Sequence, residues 1–176
     1  MSGIYIHIPF CKQACYYCDF HFSTSLKRKE EMLRAIRSEL LMRKEEVTDV
    51  VDTIYFGGGT PSLLTMNEIG EILDLIQNHF SLSDRPEITL EANPDDLDPS
   101  TIHELYQSPV NRLSIGVQSF FDEDLSFMNR AHKAIQSESS LQLASRYFDN
   151  ISLDLIYWVT GLSEARWLRN LNHALD

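Results

Sequence analysis

The chain has 176 residues, 43% of them hydrophobic and 23% charged, which is an ordinary balance for a globular domain with its own core. A formal net charge of −11 argues against nucleic acid as the main partner. No stretch approaches the roughly 20 apolar residues that cross a bilayer, and no targeting segment precedes the first apolar run. We therefore expect a cytoplasmic protein without a membrane span.

Strand-like apolar runs alternate with segments in which apolar residues recur at helical spacing. Thr65 followed by Glu68 is a capping box, and Asp98-Pro99 is typical of a helix start. Successive strand–helix units imply parallel strands with right-handed crossovers. The predicted strands are Ile4–Ile8, Thr53–Phe56, Ile88–Glu91, Leu113–Gln118 and Ile151–Ile156, with two helices near 122–128 and 138–148 and one that closes the chain.

One side of every predicted strand is apolar and the other is polar or small. An open doubly wound sheet would be apolar on both faces, and a closed TIM barrel would fill its interior with aliphatic side chains. Here Glu91, Gln118 and Asp154 would face the interior. The pattern predicts an α/β fold: a curved sheet with helices outside and a wide, polar, ligand-filled lumen.

All three cysteines, Cys11, Cys15 and Cys18, lie within eight consecutive residues directly after the first predicted strand. In barrel-type folds the loops at this end of the strands form the active site. Three thiolates on a short loop can bind three irons of a [4Fe–4S] cluster and leave the fourth iron open to a small molecule. A structural zinc site is the alternative, with His7 or His21 as the fourth ligand.

The segment from Tyr5 to Phe20 resembles the radical S-adenosylmethionine family, in the branch that contains the coproporphyrinogen III dehydrogenase HemN and the heme chaperone HemW. The similarity covers essentially the whole chain, because further motifs of that branch follow in order, each at the end of a predicted strand. These motifs are Phe56–Pro61, Glu91–Pro94, Arg112–Gln118 and Asp154–Tyr157.

The resemblance implies a (β/α)6 barrel with a [4Fe–4S] cluster on the three cysteines and S-adenosylmethionine on its free iron, where one-electron reduction cleaves the sulfonium. It assigns no catalytic residue. The implied contacts to a first S-adenosylmethionine are Tyr5, Tyr17, Gly58, Gly59, Thr60 and Glu91, and those to a second one, as in HemN, are Gln118, Arg130 and Asp154.

Simpler explanations exist for several of these residues. Glu91 can accept hydrogen bonds from ribose hydroxyls, or it can form a buried salt bridge with Arg112 or Arg130. Tyr5 can pack in the core. The run of glycines from Gly57 can be an ordinary strand-to-helix turn, although three consecutive glycines exceed what such a turn needs.

Departures from the HemN pattern indicate which of the two kinds of protein in the branch the chain resembles more. Phe20 stands where HemN has a fourth cysteine, and the long N-terminal extension of HemN has no counterpart. Both features favour a HemW-like heme chaperone, with heme or porphyrin as ligand, an electron donor for the cluster and a heme-accepting protein as partners. The alternatives are an enzyme that decarboxylates coproporphyrinogen III oxidatively and another radical enzyme.

Two further departures concern the end of the chain. Trp158 and Thr160 replace a glycine and a proline of the family, so Trp158 would crowd the lumen or shift the loop and weaken the contacts of Asp154. The sequence also stops after the fifth strand–helix unit, whereas the family barrel has six and a further C-terminal domain. We therefore expect residues 1–176 to form a truncated radical S-adenosylmethionine core, with the family's heme-binding elements missing.

Overall fold

The computed structural model describes residues 2–175 and has one parallel sheet of five strands in the order β1-β2-β3-β4-β5. Each strand pairs with its sequence neighbour, and the predicted alternation of strands and helices is confirmed. The strands are β1 (Ser2–Ile8), β2 (Val51–Gly58), β3 (Leu82–Ala92), β4 (Arg112–Gln118) and β5 (Ile151–Leu155). The α-helices are α1 (Lys29–Arg43), α2 (Met66–His79), α3 (Pro99–Tyr106), α4 (Asp122–Phe127), α5 (Ala134–Ala144) and α6 (Glu164–Leu175).

The core lies between the sheet and the helices. The apolar side of each central strand is almost fully buried there, and the opposite side faces the concave lumen. Burial of one such side chain stabilises the fold by about 1.5–3 kcal/mol. The largest fully buried side chains include Ile8, Ile54, Phe56, Leu90, Leu113 and Ile115 from the strands and Ile69, Ile72 and Ile76 from α2.

Local capping sets where two of the helices begin. The Thr65 hydroxyl accepts a hydrogen bond from the Glu68 amide at 3.2 Å, and the Glu68 carboxylate accepts one from the Thr65 amide at 2.8 Å. This is the predicted capping box. At the start of α3, Asp98 accepts from the Thr101 amide at 2.8 Å, also as predicted.

The sheet topology puts the carboxyl ends of all five strands on one rim of the lumen. The loops that follow β1, β2 and β3 therefore meet there, together with the segment after β4. Within residues 2–175, no helix has both the length and the apolar character needed to cross a membrane.

Candidate cofactor site

A cavity of about 200 Å³ opens at this rim and collects every predicted site residue except Tyr5. Tyr5 on β1 is 58% exposed, and its ring stacks on Tyr55 at 5.9 Å. Its predicted alternative as a core residue is therefore wrong. The residues that share the cavity are Cys11, Cys15, Tyr17, Cys18, Gly58, Gly59, Thr60, Glu91, Gln118, Arg130 and Asp154.

The three cysteines are free thiols, each half-buried, on residues 11–18, which we call the cysteine loop. Burial raises the pKa of the Cys11 thiol, and the neighbouring Cys18 and Cys15 add to this rise, while a hydrogen bond with Thr60 opposes it. Within residues 2–175, no three His, Cys, Asp or Glu side chains lie close enough together to hold a single metal ion. The thiols thus share a cavity rather than one coordination point.

The two histidines considered as a fourth zinc ligand lie elsewhere. His7 and His21 line a separate cavity between β1 and α1, and neither is among the residues that line the cysteine cavity. The His7 ring also accepts or donates a hydrogen bond at 3.3 Å with the Tyr5 hydroxyl. Neither histidine is therefore placed as the fourth zinc ligand that the sequence suggested.

Residues 57–60, which we call the glycine loop, form the end of β2 and the turn after it. They pack against residues 8–10, which lead into the cysteine loop. The amides of Gly59 and Thr60 donate to the carbonyls of Ile8 and Phe10, at 2.8 and 2.7 Å. A Cβ atom at Gly59 would lie 2.6 Å from the Phe10 carbonyl oxygen, so only glycine fits. This close approach to protein backbone explains one glycine of the run without any ligand.

Glu91 is held at the floor of the cavity by two donors from β2. Its carboxylate accepts from the Tyr55 hydroxyl at 2.8 Å and from the Gly58 amide at 3.0 Å. Burial raises the pKa of Tyr55 to about 12, and its bond to the carboxylate adds to this effect. The salt-bridge alternative is not seen here, because Arg112 instead pairs with Glu87 at 3.5 Å.

Arg130 connects three parts of the site. Its Nη2 donates to Asn93 Oδ1 at 2.7 Å and to the Gly116 carbonyl at 2.8 Å. Its Nη1 lies 3.3 Å from the Tyr17 hydroxyl and 3.6 Å from Cys15 Sγ. Arg130 Nε is buried without a hydrogen-bond partner among the described residues, so the guanidinium still has a donor to offer.

The far wall of the cavity is formed by the ends of β4 and β5. Gln118 has a left-handed backbone with φ of 67°, a conformation that is rare for a residue other than glycine and is concentrated at functional sites. Burial raises the pKa of Asp154, while the positive charge of Arg112 opposes that rise. Trp158, which was expected to crowd the lumen or shift the loop, is 88% exposed and does not line this cavity.

Sequence reasoning missed several residues that organise the site. Asn93 lies in the cavity and links Thr60 to Arg130, with its Nδ2 3.2 Å from the threonine hydroxyl. Its place in the segment Glu91–Pro94, at the end of a predicted strand, was a usable signal. The contribution of Asn129 to the cysteine loop had no such signal, because it bonds a residue 115 positions away.

Comparison with known proteins places these features in a family. Residues 5–174 match the model of the Radical SAM superfamily. The chain is 37% identical to the heme chaperone HemW of Bacillus subtilis over its whole length, which covers 46% of that protein. It is 39% identical to the heme chaperone HemW of Lactococcus lactis over 91% of this chain and 42% of the relative.

A solved structure shows the same relationship. The coproporphyrinogen III oxidase HemN of Escherichia coli, described as a radical SAM enzyme, superposes with a TM-score of 0.88 at 27% identity, over 98% of this chain and 41% of that one. The chain thus spans less than half the length of the relatives it matches. Its fold, its motifs in order and these matches establish that it belongs to the radical S-adenosylmethionine superfamily, in the HemN/HemW branch.

Proposed function

We propose that the chain is the cluster- and S-adenosylmethionine-binding core of a HemW-like heme chaperone. The observation that carries this proposal is the single cavity that unites three thiols with Glu91, Asn93 and the glycine loop. A cluster of the [4Fe–4S] type can use three thiolates from one loop and keep one iron for an external ligand. The unpaired Nε of Arg130 and the half-buried polar wall suit a charged ligand beside it.

Different side chains in the cavity bind different parts of the cluster and of S-adenosylmethionine. Cys11, Cys15 and Cys18 hold the cluster, which together with S-adenosylmethionine supplies reductive radical chemistry when bound. Glu91, fixed by its two donors, presents its remaining lone pairs to ribose hydroxyls. Tyr17, which is 42% exposed and lines the cavity, offers a flat apolar face for the adenine ring.

The far wall is the proposed place for a second ligand. Gln118, Arg130 and Asp154 line it with an amide, a guanidinium and a carboxyl group. These groups suit the amino-acid part of a second S-adenosylmethionine or the carboxylates of a porphyrin. Phe20, which is 70% exposed at the rim, replaces a fourth cysteine and supports the chaperone over the enzyme.

The cluster is tested by anaerobic reconstitution with iron and sulfide. We expect about four irons per chain and a brown protein, and we expect Cys15→Ala to lose this iron. Tyr16→Ala is the matched control, because Tyr16 lies in the same loop with its side chain 79% exposed and outside the cavity. Preferential uptake of zinc, or unchanged iron in Cys15→Ala, would contradict the proposal.

The similarity to HemN supports a second candidate, oxidative decarboxylation of coproporphyrinogen III. An anaerobic assay of the reconstituted chain with coproporphyrinogen III and S-adenosylmethionine, run beside a heme titration, separates the two functions. Heme binding without turnover would support the chaperone. Formation of a decarboxylated product would replace it with the enzyme.

A further inference from the structure

We propose that two groups of residues form a clasp that fixes the cysteine loop in its cluster-binding shape before any cluster is present. One side of the clasp is the turn Met128–Arg130 after α4, with Asn129 as the principal positioning residue. The other side is the acidic pair Asp95–Asp96 after β3. None of these residues supplies a thiol. Asn129, Asp95 and Asp96 act on the cluster through the loop, and Arg130 also contacts the Cys15 sulfur.

The turn binds the middle of the cysteine loop through a reciprocal set of hydrogen bonds. Gln13 Nε2 donates to both the carbonyl oxygen and the Oδ1 of Asn129, at 2.9 and 2.8 Å. Asn129 Nδ2 donates in return to the Ala14 carbonyl at 2.7 Å. Two residues further along the loop, the Tyr16 amide donates to the Met128 carbonyl at 3.1 Å.

The backbone of Asn129 explains why this residue can act in that way. Its φ is +57°, in the left-handed region that asparagine tolerates better than most residues. That conformation turns its main-chain carbonyl and its side-chain amide toward the same partner, Gln13. Glycine would keep the conformation but lose the amide, and a β-branched residue would lose both.

Arg130 connects the cysteine loop to the sheet. Its guanidinium lies against Cys15 Sγ at 3.6 Å, and its other nitrogen is anchored on Asn93 and on the Gly116 carbonyl. The sulfur in the middle of the loop is thus tied to β4 and to the residue that follows β3.

Lys12 connects the cysteine loop to the other side of the clasp, the pair Asp95–Asp96. Its Nζ lies 2.9 Å from Asp95 Oδ2 and also pairs with Asp96. Both carboxylates are largely buried, with side-chain exposures of 13% and 4%, whereas the lysine is 39% exposed. Ser62 donates a further bond to Asp96 at 2.7 Å, which fixes that carboxylate. The clasp therefore fixes Lys12, directly after Cys11, in addition to the residues around Cys15.

The physical reason for such a clasp lies in the loop it holds. Three thiolates close together repel each other, and a short loop loses conformational entropy when it is ordered. A loop that is already ordered by hydrogen bonds to the rest of the protein has lost this conformational entropy before the cluster binds. We therefore expect the clasp to slow cluster loss and to protect the thiols in the empty protein.

The first test needs no cluster, because the chain has three cysteines and all of them lie in this loop. The rate at which a small thiol reagent modifies the metal-free 176-residue chain then reports on the loop alone. We expect Asn129→Gly to raise the rate for Cys15 about fivefold or more, since protection follows the free energy of local opening. Asn150→Gly is the matched control, because that asparagine is exposed and makes one long side-chain bond of 3.4 Å, to Glu87.

A double-mutant cycle tests whether Gln13 and Asn129 act through the same contact. Gln13→Ala should raise the modification rate to a similar degree, and the double variant should fall short of the product of the two single effects. Circular dichroism melts of every variant show whether the fold is kept. An unchanged modification rate in folded Asn129→Gly and Gln13→Ala would overturn the clasp, as would equal effects in Asn150→Gly.

The second test measures retention of the cluster and rests on the proposed function. After reconstitution, iron transfer to a chelator should be several-fold faster in Asn129→Gly than in the unchanged chain and in Asn150→Gly. If the unchanged chain takes up no cluster, the proposed function fails, while the thiol rates still decide the clasp. If iron transfer is equal in the three proteins, the clasp does not serve cluster retention and the proposal is overturned.

Discussion

Glu91 illustrates how one side chain is prepared for a ligand. Two donors on the neighbouring strand, the Tyr55 hydroxyl and the Gly58 amide, fix both carboxylate oxygens at the cavity floor. A carboxylate oxygen has lone pairs left after one such bond, and Glu91 lines the cavity. The group is therefore oriented before the ligand arrives.

We predict that Glu91→Gln weakens S-adenosylmethionine binding about tenfold or more, because a charged acceptor is replaced by a group that offers one weaker acceptor. Equilibrium binding to the reconstituted chain measures the effect. Glu87→Gln is the matched control, since Glu87 lies on the same strand, pairs with Arg112 and does not line the cavity. Equal affinities in the two variants would exclude the proposed role of Glu91.

Trp158 carries a local strain that a substitution can remove. Its φ of +66° disfavours a bulky residue, and its side chain is 88% exposed, so little packing is lost when it is replaced. We predict that Trp158→Gly stabilises the chain by about 0.5–1 kcal/mol, a rise of roughly 1–4 °C in Tm. Trp158→Ala keeps the strained backbone and should gain much less, and a thermal melt distinguishes the two.

At the scale of elements, two glycines make a matched pair. A Cβ at Gly59 would meet backbone atoms of Ile8 and Phe10 at 2.8 and 2.6 Å, whereas a Cβ at Gly70 in α2 would meet nothing within 4 Å. We predict that Gly59→Ala destabilises the fold by about 1–3 kcal/mol through this clash. Gly70→Ala should stabilise it by about 0.5–1 kcal/mol. Urea denaturation of both variants checks the opposite signs.

The elements could be predicted from sequence where local patterns decide them. The apolar repeat of α2 and its capping residues are local, and the structure confirms them. The first half of β3 was missed because Pro86 argues against a strand, yet the strand runs from Leu82 and begins by pairing with Val51. Similarly, α5 lies at Ala134–Ala144, earlier than predicted, and the chain continues beyond it in turns.

The site was predictable to a different degree. The resemblance supplied Gly58, Glu91 and Gln118 as site residues, and the parallel topology explains why these residues at strand ends meet the cysteines in one cavity. The predicted role of Tyr5 stays a prediction, because its ring does not line that cavity although it lies close to Glu91. Pairs such as Gln13 and Asn129 leave no local pattern at all.

For the whole molecule, pH dependence follows from one buried imidazole. His132 is 2% exposed, and its Nε2 donates to the Val117 carbonyl at 3.0 Å. Burial, with the nearby positive charge of Arg130, lowers its pKa to about 4. In the unfolded chain the same group takes up a proton near pH 6.5. The unfolded state therefore binds more protons between these values, so stability falls as the pH drops through this window.

We predict that this group accounts for a loss of about 3 kcal/mol between pH 7 and pH 4. His132→Gln cannot take up the proton and should show a flatter profile over the same range. Chemical denaturation of both proteins at a series of pH values makes the comparison, in which the carboxylates contribute equally to both. Parallel profiles would contradict the assignment to His132.

The order of the sheet has a consequence for how the protein is made. Each strand pairs with the next one along the chain, so the units can assemble one after another as they leave the ribosome. The cysteines emerge first, but the side chains that fix them follow about 115 residues later. We expect a nascent chain to carry exposed, reactive thiols until the turn after α4 has been translated, and iron delivery to succeed only after that point.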